Sequence, residues 1–181
     1  MYDYEKGSEQ ELIRRARRGD AKAFAKLYSG IYKDLYKFAL CMLRHPQEAE
    51  DAVSEAVIAA YENISGLKKE SSFRSWIFKI LSNQCRQTLT RRQREIVSTE
   101  DTHIYLGKSG GNEPDYAQQQ DVRRAFESLD EEERMIVAFS VFGGYTSEEI
   151  AVMLKKKAVT VRSRKSRALE KMRVDLGRAE G

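Results

Sequence analysis

The chain has 181 residues, of which 41% are hydrophobic and 33% charged, with a formal net charge of +4 at pH 7. That length allows one or two domains with a real core, and two prolines with few strand-like alternations point to an all-α fold. No apolar run is long enough to span a bilayer, and Met1 to Glu5 opens no signal-like segment, so a cytoplasmic protein with no membrane insertion is expected. Cys41 and Cys85 lie far apart within helical patterns and read as buried thiols in a reducing compartment. His45 and His103 have no ligand-spaced partners, so neither a metal nor a cofactor is implied. No phosphate-cradling loop or nucleophile–base group occurs, so the sequence does not read as an enzyme.

Ser8 to Arg18 predicts a short basic amphipathic helix ending near Gly19. Asp20 caps a second, in which Phe24, Leu27, Tyr28, Ile31, Leu35, Phe38 and Met42 recur at helical steps, stopping near Arg44. Pro46 suits the first turn of a third, with Ala49, Val53, Val57, Ala60 and Ile64 inward and Glu48, Glu50, Asp51 and Glu55 outward. Gly66 breaks it, and Leu67 to Ser71 form a loop. Ser72 caps a fourth helix whose apolar side is Phe73, Trp76, Ile77, Ile80, Leu81 and Leu89, ending at Arg91 to Arg94. These elements make a helical domain over residues 1–95.

Residues 96–120 hold Gly107, Gly110, Gly111 and Pro114 without sustained periodicity, and predict a flexible linker. A second domain over 121–181 opens with a short helix to Leu129. Asp130 then opens a helix with acids at its positive end and the apolar body Met135 to Phe142, terminated at Gly143-Gly144. Thr146 to Glu149 is a capping box, with Ile150, Met153 and Leu154 on one face behind it. After Lys155-Lys156-Lys157 a final helix buries Val161, Ala168, Leu169, Met172 and Leu176 and turns Ser163, Ser166 and Arg167 outward. Arg162 and Arg173 lie on one flank, Arg164 and Lys171 on the other. Two helices with a tight turn and a cationic outer face make a helix-turn-helix. Between Lys155 and Arg178 ten basic residues meet two acidic ones, whereas a merely solvated face mixes signs. A nucleic-acid surface is the expectation.

The two domains together resemble the extracytoplasmic-function (ECF) sigma factors of bacterial RNA polymerase, in the sigma-70 family. The resemblance rests on Ala49 to Ala56 and Ser72 to Asn83 in the first domain. In the second it rests on Leu129 to Arg134, Tyr145 to Ala151, and Thr160 to Arg164 with Arg167-Ala168. It implies that Asp51, Ser54 and Glu55 dock on the clamp coiled coil of the polymerase's largest subunit, a charge-complementary contact. It also implies that Lys68, Lys69, Arg74, Lys79, Asn83 and Arg86 hold the minus-10 element, where a base leaves the stack. Arg162, Ser163, Arg164 and Arg167 are then placed at the minus-35 element, with Ser147 on a phosphate. Core RNA polymerase, promoter DNA and an anti-sigma factor are the partners implied. The sequence departs from the family at Ser54 (usually Gln), at Lys155-Lys156-Lys157 (usually Gly, apolar, Ser), at Val159 (usually Gly) and at Lys165 (usually apolar). The alternative is a stand-alone helix-turn-helix regulator, which predicts specific DNA binding without polymerase.

Overall fold

The computed structural model describes residues 3–68, 73–98 and 124–179. All its regular elements there are helical, so the protein is all-α, and the chain divides into two compact units, Met1–Tyr105 and Leu106–Gly181. The proposed cap Ser72 and most of the predicted linker lie outside the described residues.

In the first unit the sequence's caps set the helix starts. Ser8 accepts the Glu11 N–H and opens α1 (Glu9–Ala16). Gly19 turns the chain at φ +90°, and Asp20 then accepts the N–H groups of Lys22 and Ala23 at 3.1 Å to open α2 (Ala21–Leu43). The Ala23 N–H, joined by the Arg15 guanidinium and the Tyr4 hydroxyl, holds the Asp20 carboxyl below its usual range. Arg44 ends α2 in the left-handed region, and Pro46 starts α3 (Pro46–Asn63), which passes through a 3-10 turn at Ile64–Gly66.

Helix α3 packs between α2 and α4 (Phe73–Ser98). It presents Ala49, Ala52, Ala56 and Ala60, all buried, so its neighbours approach closely. Phe38 of α2 meets Phe78 of α4 edge-on at 5.5 Å, with Leu35, Ile77 and Leu81 filling the same core. Several positions differ from expectation. Phe78 is a core residue, Trp76 and Val57 are only half-buried, and α4 runs past Arg94 to Ser98. Cys85 is buried, which pushes its thiol up to about 12, whereas Cys41 is half-buried.

The second unit is built around α5 (Glu131–Val141), whose Met135 to Phe139 are all buried. A helix apolar on every side belongs at the centre of its unit. Asp130 and Glu133 form a reciprocal capping box at its start. Its end requires both glycines. A Cβ on Gly143 meets the Phe139 carbonyl oxygen at 2.8 Å, and Gly144 takes φ +69°. That exit lets Tyr145 fold back edge-on to Phe139 at 5.3 Å. Thr146 and Glu149 then cap α6 (Ser147–Leu154), a three-residue turn follows, and α7 (Ala158–Ala179) packs on both α5 and α6.

Candidate nucleic-acid and polymerase interfaces

The turn between α6 and α7 is made by Lys155 at φ 54°, with the Lys156 N–H bonded back to the Ala151 carbonyl at 2.9 Å. Beyond it, α7 buries Val161, Ala168 and Met172, while the predicted stripe residue Leu169 is 41% exposed. Ser163 and Arg167 stand outward together. The Arg167 guanidinium donates to the Ser163 carbonyl and hydroxyl oxygens, each at 3.4 Å. Arg162, also exposed, donates to Glu148 of α6 at 2.7 Å. Ser147, half-buried, sits in the first turn of α6, where backbone N–H groups have no intrahelical carbonyl partner.

Arg164 is placed differently. It turns to the acidic first turn of α5, 3.5 Å from both Asp130 and Glu132. Lys156 reaches the same Glu132 at 3.0 Å, and Lys171 donates to both oxygens of buried Glu133 at 2.8 and 2.9 Å. Thus the acids of α5, which are remote in sequence, neutralise one flank of α7. Among the described residues Lys155, Lys157, Lys165 and Arg167 have no carboxylate partner. The outward cationic surface therefore runs from the turn along the Ser163–Arg167 face.

Helix α4 shows the same division. Lys79, Asn83, Arg86 and Thr90 recur at four, three and four residues, which places them on one outward stripe. Arg86, Gln87, Thr90, Arg91 and Arg94, with Glu95, line an open depression on its C-terminal half. Arg74 and Arg92 lie on the opposite side. Arg74 bonds Asp34 of α2 at 2.7 Å and Arg92 bonds Glu48 of α3, so the helix is tied to both neighbours. Arg74 therefore belongs to the side of α4 that faces its own domain. Lys68 is exposed, and Lys69 lies outside the described residues.

On α3 the outward face carries Asp51, Ser54 and Glu55, all exposed. The same face also carries apolar members that its charge pattern does not reveal. Ile58 is 60% exposed and continues the Asp51–Glu55 row, and Tyr61 lies beside it. The signal was available as helical spacing, with Asp51, Glu55, Ile58 and Glu62 at steps of four, three and four.

Two separate helical units, one ending in a helix-turn-helix with an outward cationic stripe, define a two-domain DNA-binding transcription factor. Residues 27–95 match Sigma-70 region 2, and residues 119–172 match Sigma-70, region 4. The chain is 30% identical over 177 residues to the ECF RNA polymerase sigma-E factor of Escherichia coli K12, covering 90% of this chain and 91% of that one. It is 29% identical over 174 residues to the RNA polymerase sigma-H factor of Pseudomonas aeruginosa, covering 90% of each. The fold is shared with CnrH, solved with the cytosolic domain of CnrY (TM-score 0.65, 20% identity, 93% of this chain and 97% of that one). It is also shared with the sigma factor RpoE of Bartonella quintana, solved with the anti-sigma factor NepR (TM-score 0.67, 23% identity, 87% and 98%). The chain belongs to the ECF sigma factors of the sigma-70 family. It is an RNA polymerase sigma factor, which directs promoter-specific initiation by binding core polymerase and the minus-10 and minus-35 elements. Its relatives are transcription initiation factors rather than enzymes. Among the described residues no helix is long and apolar enough to cross a membrane.

Proposed function

We propose that the three outward faces divide the work of a sigma factor. Arg162, Ser163 and Arg167 read the minus-35 element in the major groove, where an arginine fork matches guanine O6 and N7. Ser147 and the turn lysines Lys155 and Lys157 meet phosphates, which position the helix without reading sequence. On α4 the Lys79–Asn83–Arg86 stripe, with Lys68 and Lys69 before it, holds the melted minus-10 strand. Cations there follow the backbone, and the half-buried edge of Trp76 offers a stacking surface. Asp51, Ser54 and Glu55 dock on the clamp coiled coil, with Ile58 as the apolar centre of the contact. Arg74 and Arg164, each held by carboxylates of a neighbouring helix, orient α4 and α7 rather than touch DNA.

The working organisation is 1–95 for polymerase and minus-10, 96–120 as linker and 121–181 for minus-35. The protein acts in the cytoplasm, where an anti-sigma factor binds it, a partnership that the sigma–anti-sigma complex of the Bartonella protein supports. The observation that carries this reading is the outward grouping of Arg162, Ser163 and Arg167 while Val161, Ala168 and Met172 are buried.

The test is a pull-down with core RNA polymerase followed by run-off transcription on a promoter library. The chain is expected to co-purify with core and to start transcripts from templates sharing one pair of boxes. Specific DNA binding without any run-off product would support the stand-alone regulator instead.

A further inference from the structure

Val159 is 68% exposed in the first turn of α7, so packing does not require an apolar residue there. Turning about 100° per residue carries Val159 into line with Ser163 and Arg167, four and eight residues on. It thus heads the stripe on which Arg167 folds over Ser163. Val161, Ala168 and Met172, on the opposite side, are buried. In a helix-turn-helix the N-terminal residues of the second helix are the ones that meet base edges.

The chemistry of Val159 then selects its target. Its methyls neither donate nor accept a hydrogen bond, and of the groups on major-groove edges only the thymine C5-methyl is apolar. A β-branched side chain is also stiff at χ1, so little rotamer freedom is lost on docking. We infer that Val159 is a specificity-determining residue that takes the 5-methyl of a thymine in the minus-35 element, beside the base pairs read by Ser163 and Arg167. This rests on the assignment of the α7 face to that element. Burial of one methyl in such a contact corresponds to about fourfold in affinity.

The experiment uses the full chain on core polymerase. A minus-35 duplex is selected from a randomised library, and each thymine in it is replaced singly by deoxyuridine, which removes only the methyl group. One replacement is expected to weaken the wild-type holoenzyme about fourfold. Val159→Ala should bind thymine and deoxyuridine duplexes alike at that position, and Val159→Ile should keep the discrimination. A selected element without thymine, discrimination that persists in Val159→Ala, or a Val159→Ala loss equal on every duplex would each overturn the inference. Arg167→Ala, measured on single base-pair variants of the same duplex, separates the two levels. A loss confined to one base pair leaves the α7 assignment standing even if Val159 fails. A uniform loss together with insensitivity to deoxyuridine overturns both.

Discussion

At the scale of single residues, the turn of the helix-turn-helix holds a conflict between conformation and side chain. Lys155 takes φ 54°, a region that costs a side chain with a Cβ about 1–2 kcal/mol and glycine almost nothing. Lys155→Gly is therefore expected to stabilise the second unit by about 1 kcal/mol, after the extra entropy glycine loses on folding is set against the relief. In a unit of that size the thermal midpoint should rise by roughly 4 °C or more. Calorimetry of the full chain measures it, with Lys155→Ala as the control that removes the charge but not the strain. Equal gains for Ala and Gly would mean that repulsion among the three lysines, rather than the backbone, is what glycine relieves. The family usually turns with glycine at this place, so the departure at Lys155 is legible in the sequence. The partners of Arg164 and Lys171 were not visible. Periodicity says which side of a helix faces out, but not that the acids of α5 lie against one flank of α7.

At the scale of elements, local chemistry carried most of the boundaries. The caps Asp20 and Thr146, the helix starts at Ser8 and Asp130 and the helix-starting Pro46 each satisfy or remove exposed N–H groups within a few residues, so these boundaries are legible in the sequence. Core membership was less legible because it depends on neighbours. Phe78 meets Phe38 from another helix, whereas Leu169 has the right spacing but stays 41% exposed. Ile58 is a different case, because the spacing of Asp51, Glu55 and Glu62 places it outward, but an apolar residue in an acidic row is easily passed over when only charge is followed. Asp51→Lys with Glu55→Lys should weaken binding to core polymerase roughly tenfold or more through like-charge opposition to a basic partner surface. Helicity and the thermal midpoint should change little, since exposed substitutions usually stay within about 0.5 kcal/mol. Ile58→Ser should also weaken core binding, because apolar anchors at the centre of an interface carry much of its energy. Core binding unaltered by the double reversal would remove α3 as the docking face.

At the scale of the whole molecule, the two stripes proposed to contact DNA belong to different compact units. A single recognition helix offers few phosphate and base contacts, and part of the charge on it and its turn is already paired with Glu148, Glu132 and Glu133. Each unit alone should therefore hold DNA weakly. If core polymerase fixes both units at promoter spacing, the second contact becomes intramolecular, which raises overall affinity by about 10²–10⁴ without any new contact. The free chain is expected to bind promoter duplex at least about a hundredfold more weakly than the chain on core, with little preference between promoter and scrambled DNA. Titration of both forms against the same two duplexes at one salt concentration measures this. Tight, sequence-specific binding by the free chain would assign promoter choice to the helix-turn-helix by itself, and the role of core as the scaffold that joins the two contacts would fall.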